Sequence, residues 1–381
     1  MSPIDSKGPL EGVKVVQIAS LAPGPFAACL LADMGADVVR VDRLGPASKL
    51  TADLLGRGQR SLCVDLKHSD GPPTVLKLIE GADLLVEGFR PGVMERLGLG
   101  PDVCLDRNPA LVYGRMTGYG QDGPLSQAAG HDINYISLSG TLSMVGRAEQ
   151  PPTPPLNLVG DFGGGGMFLA FGLVCGLFEA RRSGRGQVVD ASMVEGSAML
   201  MLPFFGGARR SEPHPRGTNL LDSGAPFYDA YETADGQWVS VGAIEPQFYD
   251  ELVTKMGLDR ETLPVQMDPT TWPALKEHFA RVFRTRTRHE WCQVFEGSDA
   301  CFAPVLDLVE AAEHPHNTAR RGFITVEGVD QPAPAPRFSV TPGGVHRAPP
   351  KPGEHTDEIL AEWGGFNDQE ISALRRLGAV G

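Results

Sequence analysis

The residues best suited to acid–base chemistry lie in the middle of the chain, at His131 and Asp161. His131 stands in the polar cluster AGHDINY, and Asp161 stands in LVGDFGGGGMF, just before four consecutive glycines. An imidazole and a carboxylate that face one carbon from opposite sides could remove its proton on one face and return a proton on the other. The sequence leaves a second interpretation of His131 open, that of a hydrogen-bonded residue with a structural role.

Asp161 also has two interpretations. As a helix N-cap it would stabilise the following helix by ~1 kcal/mol. As a functional residue it would stand at a helix N-terminus whose free N–H groups could hold a developing oxyanion. Each of the four glycines destabilises a helix by up to ~1 kcal/mol relative to alanine, so the run predicts a close contact with a ligand.

Cations follow several predicted strands in an otherwise acidic chain. Because arginine forks bind phosphate oxygens in pairs, such a group suggests a nucleotide-like polyanion. The cations are Arg40, Arg43, Lys67, Arg90 and Arg96.

Apolar runs and helical spacing alternate along the first third of the chain. They predict strands at 13–18, 38–42, 61–66, 83–87 and 111–116, and helices at 24–34 and 72–79. This alternation is typical of an α/β fold with a parallel, doubly wound sheet. The loops near 20, 43, 65, 88 and 118 are then expected at one edge of the sheet, where ligands of such folds bind.

The first turn, residues 19–25, lies where a dinucleotide site would be, and Asp42 ends the second predicted strand about 20 residues later. The turn lacks the glycine fingerprint. Pro23 and Pro25 have no N–H to offer a pyrophosphate. The turn is therefore predicted to be a rigid packing element.

Composition excludes several classes of function. The chain has 34 Lys and Arg against 47 Asp and Glu, a net charge of -13, which disfavours binding to nucleic acid. A hydrophobic content of 41 %, together with 47 glycines and 32 prolines, predicts a globular fold with many turns.

Further features favour a cytoplasmic protein without a membrane anchor. The N-terminus shows no secretory pattern. The most apolar stretch, 167–178, is shorter than the ~20 residues of a membrane span and predicts a buried helix. The six cysteines lie far apart with no metal-ligand spacing, so no metal site is expected.

A proline-broken polar stretch at 209–217 predicts a linker. Beyond it, a predicted strand at 238–241 and helices at 247–256, 272–283 and 289–295 indicate a smaller α+β domain. A proline-rich extended segment and a short helix at 368–377 end the chain.

Several motifs together resemble the α-methylacyl-CoA racemases, within the family III CoA-transferase fold. The resemblance covers about residues 8 to 345. AGHDINY supplies the histidine that distinguishes the racemases from the transferases. The shared motifs are GADVVRVDR, RPGVMERLGLGP, RMTGYGQDGP and PPLNLVGDFGGGGMF.

The resemblance implies that His131 and Asp161 act on the α-carbon of a 2-methylacyl-CoA thioester. His131 would take the proton from the S substrate and Asp161 from the R substrate, through a planar enolate. Asn157 would hydrogen-bond Asp161, and Glu245 would orient His131. No cofactor is implied, neither metal nor pyridoxal phosphate, since CoA is part of the substrate.

The resemblance also implies the residues that bind CoA. Those for the body of CoA are Arg43, Val64, Asp65, Leu66, Lys67, Gly88, Phe89, Arg90 and Arg96. Those lining the thioester end are Gly130, Asp132, Ile133, Asn134 and Tyr135.

The implied architecture is a Rossmann-like large domain at 1–195 and 335–381, linkers at 196–224 and 324–334, and a small domain at 225–323. Two subunits would interlock as a homodimer, so that Glu245 reaches His131 from the partner chain. The natural acyl group stays open.

Two other functions also stay open. A CoA-transferase would use Asp161 as a nucleophile and form an aspartyl-CoA thioester. A non-catalytic acyl-CoA carrier or sensor would keep only the pocket, and the combination of His131 with Asp161 disfavours it.

Overall fold

The computed structural model describes residues 7–45, 54–208 and 215–381. The chain divides into two compact units. The first comprises Met1–Ser139, Leu156–Leu202 and Arg321–Gly381, and the second Gly140–Pro155 and Pro203–Arg320. Residues 140–155 thus group with the second unit, whereas the sequence places them in the large domain. The domain bounds given by the sequence analysis stay a prediction.

The first unit is built on a parallel sheet of six strands in the order β3-β2-β1-β4-β5-β6. Its register places Val16 of β1 beside Val39 of β2 and Leu85 of β4. The predicted α/β class with a doubly wound parallel sheet is confirmed. The strands are β1 (Lys14–Ile18), β2 (Asp37–Asp42), β3 (Arg60–Cys63), β4 (Leu84–Glu87), β5 (Val112–Thr117) and β6 (Gln187–Ser192).

Seven helices of this unit connect or follow the strands. Proline occupies the first turn of three of them, where its missing N–H would have had no partner within the helix. They are α1 (Pro23–Asp33), α2 (Gly71–Ile79), α3 (Val93–Arg96), α4 (Pro101–Arg107), α5 (Asp132–Leu138), α6 (Met167–Ser183) and α7 (Met193–Leu200). A short 3-10 turn (Leu54–Gly56) precedes β3, and a π-helical segment (Leu158–Gly166) precedes α6.

Helices cover both faces of the sheet, because every second strand residue points to the opposite face. On one face Val16 shares a core with Leu78 of α2. On the other face Val15 shares a core with Leu31 of α1 and Leu173 of α6. The central strands are therefore buried on both sides.

The long apolar helix α6 departs from its prediction. Leu173 and its neighbours on the sheet side are buried, but Phe171 and Phe178 on the other side are 70 % and 74 % exposed. Together with the preceding π-helical segment it forms a continuous stretch, Leu158–Ser183, that is long and apolar enough to span a membrane. Core helices of soluble proteins pass the same test, and the packing of Leu173 on the sheet makes α6 a core helix with one uncovered apolar side.

The second unit contains a three-stranded antiparallel sheet in the order β7-β8-β9 and an aromatic core that includes Phe227, Tyr249 and Trp291. Its elements include a 3-10 turn at each of Thr141–Met144 and Arg260–Thr262. The others are α8 (Leu202–Ala208), β7 (Tyr228–Glu232), β8 (Trp238–Gly242), α9 (Pro246–Lys255), α10 (Trp272–Phe283), α11 (Arg288–Phe295), β9 (Phe302–Pro304), α12 (Leu308–Glu313) and α13 (Pro315–Ala319).

The predicted linkers contain regular structure where the structure describes them. Residues 196–224 include the end of α7 and all of α8, because an apolar run continues through Phe204 and Phe205. The polar residues 209–214 lie outside the described part of the chain. The predicted linker at 324–334 coincides with an antiparallel hairpin, β10 (Phe323–Val326) and β11 (Val329–Pro332).

The last segment returns to the sheet of the first unit through α14 (Thr356–Glu362) and α15 (Asp368–Leu377). Arg60 of β3 forms ion pairs with Glu358 and Glu362 of α14. The predicted strand at 61–66 ends early, at Cys63, because the N–H of Asp65 donates to the carbonyl of Ala379 instead (2.9 Å). The tail thus covers the edge of the sheet at β3.

Candidate active site

Asp161 lies inside the π-helical segment Leu158–Gly166, which continues directly into α6. The N–H of Phe162 donates to the carbonyl of Asn157 (3.4 Å), the five-residue spacing of a π-helix. The N-cap position belongs to Asn157, so the interpretation of Asp161 as an N-cap is wrong. π-helical turns are rare and are frequent at functional sites.

Two hydrogen bonds hold Asp161. The side-chain amide of Asn157 donates to Asp161 Oδ2 (3.1 Å), as the resemblance implied. The backbone N–H of Asp161 donates to Asp132 Oδ2 (2.7 Å). This N–H is therefore not free to hold an oxyanion, and the expectation for the other N–H groups of the segment stays a prediction.

His131 is the N-cap residue of α5 and is exposed. Its backbone N–H donates to Asn134 Oδ1 (3.0 Å). Asp132, the next residue, is 6 % exposed and bonds the Asp161 segment. One tight turn therefore fixes the imidazole-bearing residue relative to the carboxyl-bearing segment.

Tyr135 supports this turn through a hydrogen bond and close packing. Its hydroxyl donates to the carbonyl of Gly130, and its ring lies so close that a Cβ on Gly130 would be 2.8 Å from Cε1. Burial raises the pKa of Tyr135 to about 12. Tyr135 and Asp132 are thus buried supports of the turn, whereas Ile133 and Asn134 are exposed beside His131.

The charges of this cluster act on Asp161. Burial raises the pKa of Asp161 above its ordinary value, and the negative charge of Asp132 raises it further. The hydrogen bond from Asn157 opposes that rise, as does His131 whenever it is protonated. His131 and Asp161 are therefore within electrostatic reach of each other.

The glycines after Asp161 are explained by packing within the chain. A Cβ on Gly164 would lie 2.5 Å from the backbone nitrogen of Ser197, and a Cβ on Gly166 would lie 2.7 Å from the Phe26 ring. A Cβ on Gly196 of α7 would overlap the carbonyl oxygen of Gly164. The missing side chains let α1 and α7 approach the π-helical segment, so packing accounts for these glycines, and the expected ligand contact at the run stays a prediction.

The predicted cations divide into two kinds. Arg40 is buried and paired with Asp42 (2.9 Å), so it has a structural role. The others are exposed, follow β2, β3 or β4 at the carboxyl-end edge of the sheet, and form no ion pair among the described residues. These are Arg43, Lys67, Arg90 and Arg96.

The remaining predicted CoA contacts lie on the same loops. Val64 is buried and bridges to Val380, whereas Asp65 and Leu66 are half-buried, and Asp65 accepts the N–H of Lys67 (2.9 Å). Gly88 is exposed and Phe89 is half-buried.

A buried charge network beside these loops was missed by the sequence analysis. Glu87 ends β4 with no exposed surface, and Arg115 of β5 donates to it (3.0 Å) and to Glu95 (2.8 Å). Burial raises the pKa of Glu87 to about 7. A charged residue inside each of two buried strands was the signal that could have revealed the network.

Glu245 belongs to the second unit, where it is the exposed N-cap residue of α9. Its side chain makes no capping hydrogen bond with that helix. Within the described ranges, no group of three or more His, Cys, Asp or Glu could hold a metal ion, and none of the six cysteines forms a disulfide.

Comparison with known proteins places this chain in a family. The model of CoA-transferase family III matches residues 10–356. The chain belongs to that family.

Two family members are close in sequence, and a solved structure is close in fold. The α-methylacyl-CoA racemases of Mus musculus and Homo sapiens are 51 % and 50 % identical, each over 96 % of both chains. A CAIB/BAIF family protein from Brucella suis is 22 % identical and superimposes with a TM-score of 0.82 over 94 % of this chain and 100 % of its own.

The packing of this family III chain predicts that Gly196→Ala destabilises it. The added Cβ overlaps the carbonyl oxygen of Gly164, so the free energy of unfolding should fall by about 1–3 kcal/mol. Denaturant unfolding followed by circular dichroism measures the change. The matched control is Gly206→Ala in α8, where a Cβ meets nothing within 4 Å and the helix should gain stability. Equal effects of the two substitutions would contradict the packing explanation.

The electrostatics of the site predict opposite pKa shifts in two variants. Asn157→Ala removes a hydrogen bond to the charged carboxylate, so the pKa of Asp161 should rise. Asp132→Asn removes a like charge and keeps an oxygen that accepts the Asp161 N–H, so the pKa of Asp161 should fall. The carboxyl ¹³C chemical shift of Asp161, titrated across the acidic range, reports both. Shifts of the same sign in the two variants would refute this account.

Proposed function

We propose that this chain is a racemase that epimerises 2-methyl-branched acyl-CoA thioesters by 1,1-proton transfer. The observation that carries the proposal is the hydrogen bond between the Asp161 N–H and Asp132, the neighbour of His131. This bond keeps the His131 imidazole and the Asp161 carboxyl within electrostatic reach of each other. The two racemases that are about half identical to the chain support the substrate class.

In the proposed reaction, His131 removes the α-proton of the S thioester and Asp161 returns a proton on the opposite face. The reverse reaction exchanges the two roles. The thioester carbonyl acidifies the α-hydrogen and carries the negative charge of the planar enolate. The raised pKa of Asp161 suits both roles, because a carboxyl with a pKa nearer to neutral donates and accepts protons more evenly.

The exposed cations at the carboxyl-end edge of the sheet are proposed to bind the phosphates of CoA. Arg43, Lys67, Arg90 and Arg96 have no carboxylate partner among the described residues, so their charge is available to a ligand. Neither a metal nor an organic cofactor enters the proposed reaction. Six cysteines that form no disulfide among the described residues favour the cytoplasm as its compartment.

The active enzyme is proposed to be a homodimer. The uncovered side of α6 exposes Met167, Phe171 and Phe178, and such a continuous apolar side on a core helix is typical of a surface that a partner buries. In the proposed dimer, Glu245 of a second copy orients His131.

The acid–base pair predicts a stereospecific loss of exchange in heavy water. His131→Ala should lose exchange of the α-hydrogen of the S thioester by at least about 100-fold and keep that of the R thioester. Asp161→Asn should do the reverse, because each variant retains one base. Proton NMR of (S)- and (R)-2-methylacyl-CoA follows the loss of the α-hydrogen signal, and Asp102→Asn, an exposed carboxylate of α4, is the control.

Three outcomes would overturn the assignment. Racemisation by His131→Ala at the wild-type rate would exclude the two-base mechanism. Wild-type protein that binds CoA without exchange, and that yields a hydroxylamine-sensitive adduct at Asp161, would be a CoA-transferase. CoA binding with neither exchange nor adduct would indicate a carrier.

The proposed dimer predicts complementation between two inactive variants. In a mixed dimer of His131→Ala and Glu245→Ala, one site would combine both substitutions and the other would have none. Co-expressed chains that pair at random should then recover about a quarter of the wild-type activity. The activity of purified co-expressed protein, compared with each variant alone, measures the recovery. The control pair, His131→Ala with Asp161→Asn, should recover none, since both residues come from one chain. No recovery in the first pair would exclude Glu245 from the partner's site.

A further inference from the structure

The segment between β4 and the end of α3 carries two of the cations proposed to bind CoA. Arg90 lies in the loop and Arg96 ends the helix. Both are exposed, and neither forms an ion pair with a described residue. If such a segment had to become ordered on binding, the lost conformational freedom would reduce the affinity. What holds the segment in place therefore matters for recognition.

Glu87 fixes the beginning of the segment. It is the last residue of β4, and its carboxylate is fully buried. One oxygen accepts the N–H of Phe89 (2.7 Å), and the other accepts Nε of Arg115 (3.0 Å). Phe89 directly precedes Arg90, so the backbone is anchored next to the cation.

Arg115 fixes the end of the segment. On β5 it is the register partner of Glu87, and its two terminal nitrogens donate to the two oxygens of Glu95 (2.8 and 3.3 Å). Glu95 directly precedes Arg96. A two-pronged pair of this kind fixes orientation as well as distance.

The ring of Tyr113 supports the same guanidinium. The Arg115 Cζ atom lies 5.9 Å from the centre of the Tyr113 ring. The Tyr113 hydroxyl in turn donates to the carbonyl of Leu99, just beyond α3 (2.8 Å). The Arg115 side chain is 8 % exposed and lies between two carboxylates. These two carboxylates neutralise the charge of Arg115. The Arg115 guanidinium is therefore not available to bind a phosphate.

We propose that Arg115, with Glu87 and Glu95, positions Arg90 and Arg96 for the phosphates of the CoA thioester. These three are positioning residues, since they act through the two exposed arginines. The inference rests on the proposed function for the identity of the ligand. Beyond that function, it describes a preformed anion site of Arg90 and Arg96, which the buried guanidinium of Arg115 holds in place.

The proposal predicts weaker binding of CoA without a change in chemistry. In Glu95→Ala the two-pronged pair is lost, so the Kd of CoA itself should rise about tenfold in calorimetric titration. The KM for a 2-methylacyl-CoA should rise by the same factor while kcat stays unchanged, because His131 and Asp161 are untouched. If Glu95→Ala does not fold, Glu87→Gln tests the same network, since it keeps an oxygen for the Phe89 N–H and removes the charge.

A double-mutant cycle separates positioning from a general loss of stability. Arg96→Ala should weaken CoA binding in the wild-type background and have little further effect in Glu95→Ala, because Arg96 is already displaced there. Asp33→Asn is the matched control: it breaks another buried ion pair, with Arg57, at the end of α1 (2.5 Å). It should leave the Kd of CoA unchanged even if the melting temperature falls.

The outcomes distinguish this proposal from the proposed function. An unchanged Kd in both Glu95→Ala and Glu87→Gln, or fully additive effects of Glu95→Ala and Arg96→Ala, would overturn the positioning role even if the wild-type enzyme racemises its substrate. Wild-type protein that binds CoA without exchanging the α-hydrogen would refute the racemase instead, and a raised Kd in the variants would still support the network.

Discussion

The geometry of the candidate site depends on one hydrogen bond, from the Asp161 N–H to the buried carboxylate of Asp132. A buried carboxylate is stable only where donors compensate for its lost hydration, and within the described residues Asp132 Oδ1 has no such partner. The bond to Oδ2 therefore has to persist for the carboxylate to remain in place. Since Asp132 follows His131 directly, whatever keeps this bond also keeps the two candidate bases together. Burial raises the pKa of Asp161, and the same negative charge of Asp132 raises it further.

This bond requires the segments to approach unusually closely, and the glycines make that approach possible. A Cβ on Gly160 would lie 2.5 Å from Asp132 Oδ2, and Gly164 faces Gly196 of α7 backbone to backbone. A regular α-helix with side chains at these positions would not fit between α1, α5 and α7. The segment is wound as a π-helix instead, and the glycines lower its intrinsic stability while packing against its neighbours restores it.

Elements set by local pattern were predictable from the sequence, and elements set by packing were not. The apolar runs located β1 to β5 to within a few residues, because buried parallel strands read as continuous β-branched segments. β6 was missed, since it is mostly exposed and contains only Val188 and Val189 as a cue. The resemblance to known racemases indicated His131 and Asp161, but the role of Asp132 depends on contacts between distant segments. The packing of α1 and α7 against the glycine run was not predictable, because sequence does not reveal which surface fills the space beside a missing side chain.

The exposed side of α6 is a further feature that the sequence pattern does not reveal. A helix of this composition reads as buried, and the sheet buries one side of it through Leu169 and Leu173. Within one chain, the opposite side stays exposed through Phe171 and Phe178. Burying one large apolar side chain stabilises a protein by about 1.5–3 kcal/mol, so leaving several exposed along one helix forfeits that stabilisation unless a second surface covers them. The apolar pattern of α6 therefore does not reveal which side the sheet leaves uncovered, and the structure locates that side at Phe171 and Phe178.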